Sequence, residues 1–291
     1  MAATPGAGHI AGIYTAQIMF RDANGYPMGN LKTPNSPSNG TVYNAYKLTG
    51  PVSFTAPEPT IETAEFKGGM DVLGALDLGI ASLGTFQMTL SADDEVLRSY
   101  INGSTNDVTN AGTENVLSAP NSENLARPQF HLVLTTGFQT LDGTNRYQHW
   151  MYPNVTIREG SRSTSQDGGT NPNPLTYTVT PSKSTRTTLG YLFSATGLGV
   201  TNNRDIVTYW RTNNLMTFAT YVDDGADTSV NVGYLPITSD VDGSNNVITK
   251  NGVDNKANIS ALSTTTGATT HTAGTAADIW VISYATRFVT P

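Results

Sequence analysis

The chain has 291 residues, of which 13% are charged and none is cysteine, and its formal net charge is -7. Charged residues are about half as frequent as the roughly 25% typical of soluble domains, so we expect a surface rich in hydroxyl and amide groups. The lack of cysteine excludes disulfides and thiolate sites, and 23 acidic against 16 basic residues argue against a protein that binds nucleic acid by neutralising its phosphates.

The first residues predict a tail without regular structure. Residues 6–11, "GAGHIA", match a loose dinucleotide-loop spacing, but no strand precedes them and no helix follows. We therefore expect a flexible tail that opens an N-terminal arm of about residues 1–45. The start also lacks the basic and apolar regions of a signal peptide, and no stretch approaches the ~20 apolar residues of a membrane span. These features predict a protein made in a cytoplasm that does not enter a membrane.

Segments in which apolar and polar residues alternate recur along the chain. Such alternation, rich in β-branched and aromatic residues, predicts β-strands. The segments are residues 11–22, 60–66, 84–90, 128–137, 146–152, 154–159, 175–181, 190–195 and 278–289. Clusters of Gly, Pro, Asn and Asp between them are typical of turns. The pattern predicts one all-β domain over residues 1–291, a β-sandwich or barrel with one short flanking α-helix and long loops or arms.

The predicted helix lies in "TLSADDEVLRSYING", residues 89–103. Ser91 and Asp94 have the spacing of a capping box, and the acidic residues at the helix start compensate the helix dipole, which is a commoner role than metal binding. Asp94 can pair with Arg98 one turn later. Four apolar side chains share one helical face and are predicted to be buried: Val96, Leu97, Tyr100 and Ile101.

Residues 222–275 differ from the rest of the chain, because polar turn residues dominate and apolar patches are short. This composition predicts a polar insertion or an arm with a hairpin. Two acidic turns within it, residues 223–227 and 240–246, are similar to calcium loops. They lack the correctly placed glycine and final glutamate of an EF-hand, so we interpret them as hairpin turns.

No local motif predicts catalysis, a cofactor or a metal. None of the four histidines, His9, His131, His149 and His271, has zinc-binding spacing, and the two in strands, His131 and His149, are expected to be packed or rim residues. No G-x-S-x-G nucleophile elbow is present. We therefore predict that the protein is not an enzyme and needs no cofactor.

Four large aromatic residues offer two interpretations: Trp150, Tyr152, Trp210 and Trp280. They could form a platform that stacks on sugars or bases. Because the strand parity around them is mixed, packing in the core or at a subunit interface is the more economical interpretation.

The order of these features resembles the major tail tube proteins of long-tailed bacteriophages. A strand at residues 84–90 leads directly into the capped helix, and residues 147–181 look like a strand pair joined by a polar tip loop. The resemblance covers about residues 45–195 and the closing strand. It implies a β-sandwich flanked by a helix, a fold that the family shares with the tube of the type VI secretion machine.

The resemblance implies a structural virion protein, located in the tail and made in the bacterial host cytoplasm. Its copies would form hexameric rings that stack into a tube, through which DNA passes without specific binding. Other expected partners are the tape measure, terminator, and baseplate or distal tail proteins. A ring also gives exposed strand edges a partner, and net acidity keeps DNA from adhering to the bore.

Within this interpretation the helix residues Val96, Leu97, Tyr100 and Ile101 brace the core or the contact between subunits. Glu58 and Glu62 are candidate acids of the lumen, whereas Glu65 has the opposite strand parity to Glu62. Loops at residues 24–39 and 161–173, and the arm at residues 223–275, are candidates for contacts between rings.

Other functions fit the same composition. The chain could be another virion component, such as a head decoration or capsid protein, or a carbohydrate-binding tail module. A secreted β-sandwich hydrolase with a dispersed catalytic triad is the enzymatic alternative.

Overall fold

The structure is a computed structural model of the chain. It describes the following residues: 8–21, 25–28, 40–48, 50–55, 60–68, 71–82, 84–91, 97–98, 101, 128–160, 175–182, 208–212, 214–233, 247–251, 253–255, 263, 265–272 and 274–286.

The described residues form an all-β fold. Helical conformation within them is limited to residues 97, 98 and 101, and every strand pair is antiparallel. The strands are β1 (Gly8–Arg21), β2 (Pro27–Met28), β3 (Thr41–Asn44), β4 (Tyr46–Lys47), β5 (Pro51–Phe54), β6 (Thr60–Gly68), β7 (Asp71–Ser82), β8 (Phe86–Leu90), β9 (Phe130–Thr140), β10 (Asn145–Glu159), β11 (Leu175–Pro181), β12 (Thr208–Thr212), β13 (Met216–Val222), β14 (Ser229–Asn231), β15 (Val247–Lys250), β16 (Val253–Asp254), β17 (Ala268–Thr270) and β18 (Ile279–Ala285).

The larger sheet has the strand order β2-β1-β9-β10-β11-β8-β5, with β4 beside β1 and β12 beside β10. Strand β1 pairs with β9 along its whole length, from Gly8 opposite Thr140 to Phe20 opposite Phe130. The predicted N-terminal tail is therefore wrong from residue 8 onward, and an arm over residues 1–45 does not describe β1. The reason is that β1 carries Ile18 and Phe20 into the core, and the partner that holds it lies far along the chain.

Two segments of this sheet change partners along their length. The first half of β10 pairs with β12, and its second half pairs with β11. Strand β4 pairs with β1, and β5, which follows it closely, pairs with β8. Residues 46–54 therefore connect the two ends of the path β1-β9-β10-β11-β8, and the sheet is curved enough for one short segment to reach both.

The second sheet has the order β16-β15-β18-β13-β3. Phe218, Val222 and Val281 from this sheet belong to the same apolar cluster as the core residues of the first sheet. Hydrogen bonds also join the sheets, because Gln17 Nε2 donates to the Met216 carbonyl at 2.9 Å and accepts at Oε1 from the Thr217 hydroxyl at 2.8 Å. Residues of both sheets therefore contribute to the main core.

The other face of the second sheet is covered by residues from the region 222–275. Val230 and Val232 pack on Tyr221 and Trp280 in a second apolar cluster, and β15 pairs with β18 inside the sheet. The described strands of the polar region therefore belong to the chain's own fold. The expected arm does not describe these strands, because their short apolar patches pack on the second sheet.

The helical residues near position 97 pack against the larger sheet. Leu97 and Ile101 are 1% and 3% exposed and belong to the main core. Arg98 Nε lies 3.5 Å from Glu159 Oε2 at the end of β10, which connects the helix to that strand. Val96, Tyr100 and Asp94 lie outside the described residues.

Strands β6 and β7 form a long antiparallel ribbon in which Thr60 pairs with Ser82 and Gly68 with Asp71. Within the described part of the chain, these two strands hydrogen-bond only to each other as a two-stranded sheet. Glu62 lies on β6 opposite Gly79, and Glu58 lies outside the described residues.

Candidate functional site

One end of the larger sheet forms a four-stranded extension. It consists of residues 8–15 of β1, 135–140 of β9, 145–151 of β10 and 208–212 of β12. The register follows from Gln139, which pairs with both His9 and Asn145, and from Tyr147, which pairs with Thr212. Among the described strands, neither β12 nor residues 8–15 of β1 has a second ladder partner on its outer side. The extension therefore presents two strand edges to its surroundings.

The extension also carries exposed apolar side chains. Of the large apolar residues that the structure describes, those that are exposed are Ile10 (59%), Tyr14 (57%) and Leu141 (73%). Ile10 and Tyr14 lie on β1, and Leu141 lies in the turn between β9 and β10. A single exposed apolar residue needs no explanation, but three at one end of one sheet indicate a contact surface.

Tyr14 contacts Tyr147 across the extension. Tyr147 pairs with Gly137 of β9, and Tyr14 lies at a register shift of β1 between Ile13 and Thr15. The ring centroids are 5.2 Å apart in an edge-to-face arrangement, the geometry that aromatic pairs prefer. Burial, followed by the neighbouring Tyr14 hydroxyl, raises the pKa of Tyr147. The pair gives this face of the extension a fixed shape.

The turn at residues 141–144 is held by hydrogen bonds. Gly143 adopts a positive φ of 82°, and its amide donates to the Thr140 carbonyl at 2.9 Å. Asp142 accepts from the Thr140 hydroxyl and from the Thr144 amide, and the Thr140 hydroxyl is the main cause that lowers the pKa of Asp142. These bonds fix the backbone around Leu141 and leave its side chain outside.

The extension and the strands beside it bury several polar side chains. Thr135 and His149 are fully buried, and the Thr135 hydroxyl lies 2.9 Å from His149 Nδ1. Burial lowers the pKa of His149 to about 3, while a hydrogen bond with the Asn214 backbone acts in the opposite direction. His131 is also fully buried, with Nε2 3.3 Å from the Gly25 carbonyl. The prediction that the two strand histidines are packed is confirmed.

The acidic turn at residues 223–227 uses its carboxylates to hold the backbone. Asp223 is fully buried and accepts from the Trp280 indole at 3.0 Å and from the Gly225 amide at 2.7 Å. Asp224 accepts from the amides of Ala226 and Asp227, and the Asp227 amide is the main cause that lowers the pKa of Asp224. Residues 223–227 form a turn, but the predicted hairpin is wrong here, because β13 before the turn pairs with β18 and β3, and β14 after it pairs with β17. Residues 240–246 lie outside the described part.

Contacts of Asp278 and Trp280, beside this turn, hold the start of β18. Asp278 binds Lys250 Nζ at 2.6 Å and accepts from Asn251 Nδ2 at 2.7 Å, and Lys250 Nζ lies 5.3 Å from the Trp280 ring centroid. His271 packs against the Trp280 ring, with centroids 4.9 Å apart. Each of these side chains therefore stabilises the fold around Trp280. In the described ranges, no group of three or more His, Cys, Asp and Glu side chains could hold a metal ion.

The four large aromatic residues of the sequence do not share an exposed face. Trp280 is 2% exposed and Tyr152 is fully buried, while Trp150 is partly buried against Phe54. The side chain of Trp210, on β12, lies outside the described residues. The interpretation as core residues is confirmed for Trp280 and Tyr152.

No protein-family model matches the chain. No curated protein is significantly similar to it. The described residues also contain no helix with the length and apolar character needed to cross a membrane.

The remaining predicted contact segments are only partly described. Of residues 24–39, the structure describes residues 25–28. Tyr26 is buried, and the Pro27 carbonyl accepts from the Thr220 hydroxyl at 2.6 Å. Residues 161–173 lie outside the described part. The sequence interpretation missed the strand edges of the extension and the exposed Tyr14. Its available signals were the long alternating segment at the start and the tight turn "LDGT" at residues 141–144.

Proposed function

We propose that this protein is a structural virion protein whose copies assemble into stacked rings, forming a bacteriophage tail tube through which DNA is ejected. The observation that supports this proposal best is the four-stranded extension with two strand edges. An exposed strand edge is a template for pairing with another chain. Copies that pair edge to edge around a closed ring use up both edges.

The number and direction of the strands favour pairing between copies. Because β1, β9, β10 and β12 alternate in direction, β12 of one copy and β1 of the next are antiparallel when the extensions lie side by side. The junction then has the same antiparallel geometry as every pair within the extension. A head-to-tail contact of this kind closes into a ring when the rotation between copies is a simple fraction of a turn.

We also propose that the two larger sheets form a β-sandwich, which stands outside this inner wall. The apolar cluster shared by the sheets supports the sandwich, and the helix that contains Leu97 and Ile101 braces its flank. Hexameric rings follow from the resemblance to tail tube proteins. Six copies of four strands would form a wider barrel than porins of roughly 16 to 18 strands, which already hold an aqueous channel.

The ribbon of β6 and β7 supports a second contact with a neighbour. An isolated two-stranded hairpin is marginally stable in water, so a ribbon of this length is expected to pack on another surface. In an assembled ring that surface belongs to an adjacent subunit. Glu62 lies on β6 of this ribbon, and Glu58 and Glu62 are the candidate lumen acids, whose charge would repel the phosphates of passing DNA.

Tail tubes do not function alone, and the proposal includes the tape measure, terminator, and baseplate or distal tail proteins as partners. No cofactor or enzymatic activity is part of it. The place of action is the virion tail, with synthesis in the bacterial host cytoplasm.

Electron microscopy of the purified full chain tests the proposal, together with analytical ultracentrifugation. Rings or tubes with a regular axial repeat are the expected result. Closed shells would favour a capsid or head decoration protein. A monomer at all concentrations, with both edges of the extension protected by the chain itself in hydrogen exchange, would overturn the proposal.

A further inference from the structure

We infer that the turn at residues 141–144, which carries the exposed Leu141, is the contact between successive rings, together with the exposed Ile10 near the start of β1. The partner is a second copy of this chain in the adjacent ring. The inference rests on the proposed function, and it assigns a separate role to the end of the extension rather than to its edges.

Strand direction determines which part of the extension reaches the next ring. If copies join through hydrogen bonds between strand edges, those bonds run around the ring, and the strands run along the tube with a tilt of roughly 35–45°. The ends of the strands must then lie on the rim of the ring. Strand β9 ends at Thr140, β10 begins at Asn145 and β1 begins at Gly8, all at the same end. This end carries the turn.

The turn is suited to an axial contact because it is ordered before binding. The hydrogen bonds among Thr140, Asp142 and Thr144 hold its backbone, so little conformational entropy remains to be lost when it meets a partner. The Asp142 carboxylate is used within the turn, so that the acidic residue stabilises the turn rather than standing free beside Leu141.

Two exposed apolar side chains at this end have exposed polar residues around them. Leu141 and Ile10 are mostly exposed, while Asp142, Thr144 and Asn145 around the turn are exposed polar residues. A small apolar centre with a polar rim is the usual composition of a protein contact. Each ring repeats the contact once per subunit, so a weak individual contact becomes strong in the assembled stack.

The contact is separable from the lateral junction. Leu141 lies in a turn and takes part in no strand pair, whereas the lateral junction uses the backbone of β1 and β12. A change of the Leu141 side chain alone should therefore affect stacking and leave ring closure intact.

The test compares Leu141→Asp, Leu141→Met and the wild-type chain by electron microscopy and sedimentation. We expect Leu141→Asp to give single rings with tubes at least tenfold shorter, and Leu141→Met to retain tubes because it keeps the apolar contact. Gln87→Glu is the matched control, since Gln87 is exposed on β8, outside the extension and outside the predicted contact segments, and should not affect stacking.

The outcomes separate this inference from the proposed function. Tubes of normal length from Leu141→Asp would overturn the inference and leave the proposed function standing. Folded monomers from Leu141→Asp, with unchanged thermal unfolding, would also overturn it, because the turn would then be needed for lateral closure. A wild-type chain that forms neither rings nor tubes would overturn both.

Discussion

The hydroxyl of Thr135 lies 2.9 Å from Nδ1 of His149, and both side chains are fully buried beside the four-stranded extension. Nδ1 is an acceptor if Nε2 carries the proton and donates to the Asn214 backbone. Protonation of Nδ1 would place a charge in this interior and remove the acceptor for the Thr135 hydroxyl. The folded state therefore favours the neutral imidazole, and burial lowers the pKa of His149 to about 3.

Acidification should destabilise the protein through His149. The unfolded side chain binds a proton below its ordinary pKa of about 6.5, whereas the folded side chain does so only near pH 3. The His149 contribution is therefore complete above about pH 6.5 and decreases by up to ~1.4 kcal/mol per pH unit on acidification. Chemical denaturation at pH 7 and pH 5 measures this loss. His149→Gln should reduce the difference between the two pH values, and His9→Gln, at an exposed position, should leave it unchanged.

Truncation of Leu97 should destabilise the fold itself. The side chain is 1% exposed in the main core, so Leu97→Ala is expected to cost about 2–5 kcal/mol of unfolding free energy. Leu97→Asp should cost more, because it buries a charge without a partner, and should prevent tube formation. Arg98→Gln is the control, since its partly exposed ion pair with Glu159 contributes at most about 1 kcal/mol. Normal tubes and an unchanged melting temperature for Leu97→Asp would contradict the role of the helix as a brace.

Regular alternation made several strands readable from the sequence. Strand β11 coincides with the predicted residues 175–181, and β10 joins two predicted strands that Pro153 separates, with a register shift at that point. Strand β13 was not predicted, because it lies between two apolar clusters and is buried on both faces, so that its sequence does not alternate.

The candidate surface was harder to predict, for physical reasons. The sequence shows an alternating segment at residues 11–22, but the strand that pairs with it, β9, begins at Phe130. The exposure of Tyr14 depends on which strands flank β1. Strand β12 is a short segment, and its pairing with β10 forms only in the complete sheet. Local patterns identify strands, whereas edges are a property of the whole topology.

Close packing around Asp223 should make Gly274 sensitive to substitution. A Cβ atom at Gly274 would lie 2.1 Å from Asp223 Oδ2, which accepts from the Trp280 indole. Gly274→Ala must therefore displace a buried carboxylate, and we expect a cost of about 1–3 kcal/mol. Denaturation followed by tryptophan fluorescence measures the loss, and the same measurement on Trp280→Phe separates the Trp280 signal from that of the other two tryptophans. Thr272→Ala, at an exposed neighbouring position, should have little effect on stability. Equal stability of the two variants would contradict the prediction, because the side chains around Asp223 would then accept the added methyl group without cost.

Charge at the edge of the extension should block lateral assembly without unfolding the subunit. Tyr14 is 57% exposed on the first strand, so Tyr14→Lys costs little packing apart from the ring contact with Tyr147, about 0.5–1.5 kcal/mol. Lysine on an edge strand opposes pairing with another chain, because a neighbour would have to cover its charge. We expect Tyr14→Lys to remain folded but to sediment as a monomer under conditions in which the wild-type chain forms rings. Tyr14→Phe should retain the rings, and Gln87→Lys, at an exposed position of β8, controls for the added charge. Leu141→Asp should retain rings and lose tubes, so the two variants together distinguish closure of the ring from stacking of rings. Intact rings from Tyr14→Lys would show that the lateral contact lies elsewhere on the molecule.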